Sequence, residues 1–443
     1  MDILKEPNQR VLKDYKNNYA YTGQSLRPLS FLLRATEDDP SHERIYNVLT
    51  SGAIRMKTGE FQHLAEEKTG SQLDFLVQNM FLVPRDFDEY GFVDDIRFFY
   101  TTFMQTNPVV CNYFIYPTTA CNARCVYCYE EGMRYRTMSP ETAEKAAAYI
   151  IRHSGGETVQ LRWFGGEPTL GIPVIEQISE RLNDAGISFF SYINTNGFLF
   201  DRPLIRLLKE KSHLNAAQIP MDGMGEAYKQ AKRYVHVPEG TDPWETVQDH
   251  IEAALEEGIR LAIRLNIGMH NRGEILDVLE MMVGRFACFE NFSVIPQVLN
   301  EGGTKTYTSE ERNLLFDIQK EAFLYCRDHH VKIAKNRFSF PSLRLHSCFA
   351  DDGSWVGISP EGDLYQCPEN IDGTTPFSNV GEDGFSAEKA FQSPEKSNWS
   401  ICRECAFYPS CVNLKNCCAR QNRCDSCHRD FRQWKTETLL LGL

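Results

Sequence analysis

The segment VQLRWFGGEPTLGIPVIEQISERLNDAGISFFSYI, residues 159–193, decides the fold class. It opens on an apolar, β-rich run (Val159–Phe164), passes into a helix-period stretch stopped by Gly186, and returns to a β-rich run at Ile187–Ile193. The same unit repeats on either side. Upstream lie the strand Val109–Tyr116 and a helix opened by Ser139 as N-cap with Pro140 in its first position. Downstream come a helix from Asp201, the strand Ala216–Pro220, the helix ETVQDHIEAALEEG and the strand Ile259–Ile267. The helix EILDVLEMMVGRF and the strand Phe292–Val298 follow, and a last helix opens at Thr308 with Glu311 at capping-box spacing. Six such βα repeats imply an α/β fold of parallel strands with right-handed crossovers, either an open doubly wound sheet or a partial barrel.

The regions outside the repeats read differently. Before about residue 105, YNVLT, a Ser51-Gly52 turn and AIRMKT predict a hairpin. A short helix follows, then a second one opened by Ser71 with Asp74 in capping-box position. This is a small α+β module of winged-helix size, or a packing extension of the catalytic domain. Beyond Phe340, Gly, Pro, Asn and Cys dominate, and so few apolar residues predict a region stapled by metal. The expected division is 1–105, 106–335 and 336–443, in keeping with roughly three domains for 443 residues.

Composition excludes several classes. No run of 18 apolar residues exists, so no transmembrane span is expected. MDILKEPNQR has no apolar secretory core, which predicts a cytoplasmic protein. A net charge of −13 argues against nucleic acid as the main partner. The 15 cysteines, in a chain without an export signal, point to metal rather than disulfides. Cys111, Cys288 and Cys326 are isolated and read as buried core thiols. The other twelve fall in two groups.

The first group, Cys121-x3-Cys125-x2-Cys128, follows the first strand, at the edge where α/β folds place their sites. Three thiolates on one loop hold three irons of a 4Fe–4S cluster and leave the fourth open to a substrate or cofactor. A three-thiolate zinc site is the alternative. The second group is Cys348, Cys367, Cys402, Cys405, Cys411, Cys417, Cys418, Cys424 and Cys427. Two further 4Fe–4S clusters need eight thiolates, and these nine suffice. Cys402-x2-Cys405 and Cys424-x2-Cys427 also fit a zinc ribbon, which leaves the other five unexplained.

CNARCVYCYE, with Tyr127 in the aromatic place, resembles the radical S-adenosylmethionine superfamily signature CxxxCx(aromatic)C. Four more motifs follow in order: Gly165-Gly166-Glu167-Pro168, Asn194-Thr195-Asn196-Gly197, Met221-Asp222-Gly223, and Arg264 with Asn266. The resemblance implies a partial (β/α)6 barrel binding S-adenosylmethionine. Its methionine amino group would go to the GGEP loop, and its carboxylate and ribose to the segment of Arg264 and Asn266. Pro220 departs from the pattern, since relatives carry a hydroxyl residue there. Binding a zwitterion needs an acid and a base, and Glu167 and Arg264 supply them. Taken alone, Arg264 also fits a barrel-interior salt bridge and Tyr127 simple packing.

The C-terminal pattern resembles the SPASM domain of peptide-modifying radical enzymes. By that resemblance the first auxiliary cluster uses Cys348, Cys367 and Cys417 or Cys418, with Cys424 available as a fourth ligand. The second uses Cys402, Cys405, Cys411 and Cys427. The implied activity is cleavage of S-adenosylmethionine by the reduced three-cysteine cluster, followed by hydrogen abstraction from a ribosomal precursor peptide, with a thioether from Cys as the expected product. A leader segment captured by the N-terminal module and an electron donor such as flavodoxin or ferredoxin are the implied partners. The alternatives are a carbon–carbon link, an epimerised centre, or formylglycine formation in a sulfatase. Pro368-Glu369 after Cys367 count against the last, because that type places Asp there. An iron–sulfur electron-transfer or zinc-binding scaffold would leave the GGEP and NTNG loops without purpose.

Overall fold

The structure is a computed structural model that describes residues 1–18, 25–66, 70–106, 110–128, 130–299, 307–334, 338–345, 355–366, 371, 376–382, 405–411 and 429–443. Chain order in the first hundred residues is β1 (Asp2–Lys5), α1 (Gln9–Asn18), β2 (Leu26–Pro28), β3 (Leu32–Thr36), β4 (His42–Asn47), β5 (Ala53–Lys57), α2 (Glu60–Glu66), α3 (Ser71–Gln78), β6 (Leu82–Pro84) and α4 (Glu89–Thr106). Strands β1, β5, β4 and β3 form one antiparallel sheet, and β2 pairs β6. The expected hairpin is β4–β5. Ser51 adopts φ 59° in its turn, and Asn47 N donates to Gly52 O at 2.9 Å. The expected cap at Ser71 is not there. Gly70 is the N-cap and offers no side-chain bond, so Ser71 and Asp74 lie inside the first turn. Gly70 O instead takes the Asp74 amide at 2.9 Å.

This module packs on the C-terminal part of the chain. Its core joins Leu12, Phe31, Tyr46 and Val93 to Phe407 and Leu440. Arg97 of α4, 5% exposed, donates to the carbonyls of Arg344 (3.0 Å), Tyr408 (3.1 Å), Pro409 (2.8 Å) and Cys411 (3.3 Å). The Tyr408 ring stacks on Phe31, and its hydroxyl donates to Asp94 at 2.8 Å.

The next strands are β7 (Asn112–Thr118), β8 (Val159–Gly165), β9 (Phe189–Asn194), β10 (Leu214–Met221), β11 (Arg260–Ile267) and β12 (Phe292–Val298). Between them run α5 (Pro140–His153), α6 (Ile172–Asp184), α7 (Arg202–Ser212), α8 (Gly225–Lys232), α9 (Pro243–Glu256) and α10 (Ile275–Phe286), and α11 (Ser309–Asp328) follows β12. The caps are local chemistry: the Ser139, Asp201 and Thr308 side chains accept from the amides of Thr142, Leu204 and Glu311. All six strands are parallel and pair in chain order. A doubly wound sheet reverses its order at a switch point, and this one does not. Side chains alternate along each strand. Leu161, Trp163, Ile193, Ile219, Ile263 and Leu265 face the helices in the main core, leaving Arg162, Asn194, Pro220, Arg264 and Asn266 on the concave face.

Three C-terminal strands extend this sheet, which the Cys-rich composition did not suggest. β13 (Trp355–Ile358) pairs parallel with β7, and β14 (Asp363–Tyr365) and β15 (Ser378–Asn379) follow antiparallel. Val356, Ile358 and Leu364 are buried in the barrel core, so this stretch past residue 336 has apolar anchorage. The last helix is α12 (Arg429–Leu441). Among the isolated cysteines, Cys326 is buried and Cys111 half-buried, whereas Cys288 is exposed, contrary to expectation. Among the described residues no helix is long and apolar enough to cross a membrane.

Arg44 and Arg55 face each other across the β4–β5 ladder, and Glu37 lies between them at 2.7 Å from both Nε atoms. Hydrogen bonds from Arg55 and then Arg44 hold the Glu37 carboxyl down at about 2. Its contribution to stability is therefore complete above the ordinary value of 4.5 and is lost as pH falls through about 2. The stability difference between wild type and Glu37→Gln, read by urea titration, is expected to be greatest above pH 4.5 and to vanish near pH 2.

Candidate active site

Strand β7 ends at Thr118, and the three cysteines sit on the loop beyond it. Thr118 and Thr119 anchor the loop's base, each hydroxyl donating at 2.9 Å, to the carbonyls of Arg136 and Arg134. The other side is clamped by the end of α8, a helix the periodicity did not reveal. Arg124 N donates to Lys232 O at 2.9 Å, Val126 N to Ala231 O at 3.0 Å, and Val235 N to Asn122 O at 2.8 Å. Cys121, Cys125 and Cys128 are half-buried free thiols. Burial pushes Cys121 up to about 12 and Cys128 up to about 11, so loading iron must displace their protons. Among the described residues no three Cys, His, Asp or Glu side chains converge on one metal-ion position. A cluster asks less convergence, because each thiolate binds a separate iron.

The GGEP backbone lies directly on this loop. Gly166 N donates to Thr118 O at 3.2 Å and Glu167 N to Ala120 O at 2.8 Å. Gly165 has φ +116°, and a Cβ on it would stand 2.4 Å from Thr118 O. A Cβ on Gly166 would stand 2.4 Å from Ala120 O and 2.5 Å from Thr119 O. No side chain fits at either position. Glu167 is fully buried and points along the rim. It accepts from Thr169 Oγ1 (2.7 Å), Thr195 Oγ1 (2.7 Å) and the Asn196 amide (2.7 Å). Burial outweighs these bonds and raises its pKa. Its visible work is to brace the NTNG turn, whose Asn196 Nδ2 in turn reaches Asn122 Oδ1 at 2.6 Å and Cys121 Sγ at 3.9 Å.

At the end of β10, Asp222 is 1% exposed and ion-pairs at 2.5 Å with Lys232, which is fully buried. Tyr127 bonds to both: its hydroxyl donates to Asp222 and accepts from Lys232 Nζ at 2.7 Å. Tyr127 is thus more than packing. Burial disfavours the Lys232 charge, the Asp222 carboxylate overcomes that, and the net shift of Lys232 is upward. Sequence reasoning missed Lys232, and it missed Asn271, whose Nδ2 donates to Asp222 O (3.0 Å) and Asn266 O (2.7 Å), joining two strand ends. Lys232 ends a short polar helix and Asn271 sits in the turn after β11, positions that carried no sequence signal.

On β11, Arg264 Nε donates to Asn266 Oδ1 at 2.7 Å, and no carboxylate pairs with Arg264 among the described residues. The salt-bridge alternative is therefore not what the structure shows. Asn122 Nδ2, Asn194 Oδ1 and Asp222 Oδ1 are buried at these strand ends without hydrogen-bond partners. Each such atom costs about 1–3 kcal/mol unless a polar ligand satisfies it. The rim thus presents three thiols, a guanidinium without a carboxylate partner among the described residues, and buried donor and acceptor atoms without hydrogen bonds, which suits a cluster and a zwitterionic nucleoside. In the C-terminal group, Cys405 and Cys411 flank the turn that holds Tyr408, and both are half-buried. Cys348, Cys367, Cys402, Cys417, Cys418, Cys424 and Cys427 lie outside the described residues.

Residues 115–282 match the family model of the Radical SAM superfamily. The chain carries a radical SAM domain. A domain of this superfamily implies one 4Fe–4S cluster and S-adenosylmethionine, and the rim fits both. The domain's curated relatives include an uncharacterised protein of Methanocaldococcus jannaschii, 22% identical over 274 residues (60% of this chain, 87% of the relative). Another is the Fe-coproporphyrin III synthase of Methanosarcina barkeri, 25% identical over 172 residues (37% of this chain, 39% of the relative). In fold, the radical SAM chain resembles anSMEcpe with bound AdoMet, at TM-score 0.59 and 16% identity, covering 74% of this chain and 97% of that one. It also resembles SuiB of Streptococcus suis bound to precursor peptide SuiA, at TM-score 0.50 and 13% identity, covering 90% and 99%.

Two substitutions test the rim. Lys232→Met leaves the Asp222 carboxylate buried and unpaired, a loss of about 3–5 kcal/mol. It is expected to lower the urea midpoint and the iron bound per chain together. Gly166→Ala drives a methyl into the carbonyls before Cys121, and it is expected to abolish S-adenosylmethionine cleavage, read as 5′-deoxyadenosine by chromatography.

Proposed function

We propose that this radical SAM enzyme modifies a ribosomally synthesised precursor peptide, forming a thioether from a peptide Cys. The observation that carries the reading is the Arg97 anchor. It fastens the N-terminal α+β module to the turn of Cys405 and Cys411. A leader strand added to the module is then held beside the C-terminal cysteines. Strand β1 offers an edge for such addition, since it pairs only β5 among the described residues. In this reading residues 1–105 are a winged-helix-like recognition module, 106–335 the barrel and 336–443 a SPASM domain with two auxiliary clusters. Supporting it, anSMEcpe has been seen with a Cp18Cys peptide and SuiB with its precursor peptide.

The bound cluster and S-adenosylmethionine supply homolytic cleavage and hydrogen abstraction. The chain's own residues do the rest. Cys121, Cys125 and Cys128 hold the cluster. Arg264 would take the methionine carboxylate through its Nη atoms, and the Gly165–Glu167 segment, braced through Glu167, would receive the amino group. Asn194, Asn196, Asp222 and Asn266 offer polar contacts to the ribose, and Tyr127, locked by Asp222 and Lys232, fixes the loop against the nucleoside. Cys405 and Cys411, with the other C-terminal cysteines, would hold auxiliary clusters able to take up the electron left after bond formation, and flavodoxin or ferredoxin would serve as electron donor.

The test uses anaerobically reconstituted protein with a Cys-containing peptide encoded beside it. The expected product has lost two hydrogens, and alkylation of its thiols labels one site fewer per crosslink. Full thiol labelling after loss of two hydrogens identifies a carbon–carbon link instead. A hydrazide-reactive product identifies formylglycine, and a mass unchanged in ordinary water but raised by one deuteron in deuterated solvent identifies epimerisation.

A further inference from the structure

Arg162, in the middle of β8, has no part in the site above. It belongs to a row that crosses three strands of the concave face, in register with Phe114 on β7 and Tyr192 on β9. Its guanidinium carbon stands 5.0 Å from the Phe114 ring centroid, 4.6 Å from that of Tyr192 and 5.7 Å from that of Trp355 on β13. Three aromatic faces thus cage one cation. No carboxylate approaches it among the described residues, and Nε is buried without an acceptor. Among the described residues Nη1 and Nη2 likewise have no acceptor, but unlike Nε they are not fully buried. Burial lowers its pKa, the direction expected of a cation without a counter-charge.

The energetics ask for a partner. Enclosing a charge is costly even after relaxation. Contacts with aromatic faces return only part of that cost. A leucine or methionine would fill the same space without that deficit, so packing alone does not account for an arginine here. Tyr192, opposite Arg162, precedes Asn194 of the cofactor rim by two residues, which places Arg162 about 7 Å deeper in the barrel. A group bound there lies beneath the cofactor rim, inside the barrel.

We propose that Arg162 is an anion subsite that receives a carboxylate of the peptide substrate inside the barrel. The aromatic cage keeps the guanidinium plane fixed, and the two Nη groups offer the fork that binds a carboxylate bidentately. This deepens the peptide reading of the previous section and rests on it. The carboxylate comes from an acidic side chain or from a free C-terminus, two sources with the same chemistry.

The test labels arginines of the full-length reconstituted protein with phenylglyoxal under anaerobic conditions and follows Arg162 by peptide mapping. Three probes compete: N-acetylglutamate α-amide for a side-chain carboxylate, N-acetylglutamine for a terminal one, and N-acetylglutamine amide as the neutral control. The expected result is labelling of Arg162 slowed about threefold by one or both acids at twice their Kd. The neutral amide should leave it unchanged, and the more protective acid identifies the source. An unlabelled Arg162, or equal protection by the neutral amide, overturns the subsite. Protection by S-adenosylmethionine alone overturns it too, by assigning Arg162 to the cofactor carboxylate. Cleavage of S-adenosylmethionine by the same preparation separates the two levels of inference. No cleavage defeats the enzymatic reading and the subsite with it, whereas cleavage without carboxylate protection defeats the subsite alone.

Discussion

The close approach of the Gly165–Gly166 backbone to the carbonyls of Thr118, Thr119 and Ala120 is the contact from which the rim is built. Because no Cβ intervenes, the end of one strand rests on the loop that follows its neighbour, and Glu167 is delivered inward. Its carboxylate then fixes Thr195 and Asn196, and Asn196 reaches back to Asn122 and Cys121. Three loops from three strands become one hydrogen-bonded body. The Asp222–Lys232–Tyr127 network does the same from the far side, using a buried ion pair where the first side uses bare backbone. Such a body holds its geometry before any ligand arrives, which is what preorganised chemistry requires.

The barrel separates charge as well as polarity. The chain carries a net charge of −13, yet two arginines without carboxylate partners among the described residues, Arg162 and Arg264, stand on its concave face. Of the rim's acids, Asp222 is neutralised by Lys232, and Glu167 is engaged by the hydroxyls of Thr169 and Thr195 and the Asn196 amide. The interior is therefore locally cationic within an anionic molecule. Anions are repelled by the bulk surface and held only where low dielectric strengthens the field.

Much of this was legible in the residue pattern. The strand at Phe292–Val298 is found with its expected bounds, and the Ser139 and Thr308 caps form the bonds their spacing required, because these features are settled within a few residues. Gly186 likewise takes φ +68° and ends its helix. What escaped notice depends on distant partners. Helix α8 is short and mostly polar, and Lys232 acquires meaning only when Asp222 and Tyr127 fold over it. The run Trp355–Ile358 is a strand because β7 has a free edge to offer, which no local periodicity announces. Ser71 lost its cap to a glycine whose φ of 151° no side chain shares easily.

The packing of the N-terminal module on the far end of the chain bears on synthesis. Arg44 donates to the carbonyl of Leu440, a contact spanning 396 residues, and Phe407 and Leu440 complete the core begun by Leu12 and Phe31. The module precedes the barrel in synthesis, yet it cannot close its core until Leu440, 396 residues beyond Arg44, has been made. It waits through the whole elongation of the barrel with apolar surface uncovered, a high contact order imposed on an otherwise local α/β chain. Nascent chains of this protein are therefore exposed to misassembly at this module, and it is there that a holdase chaperone has the longest time to act.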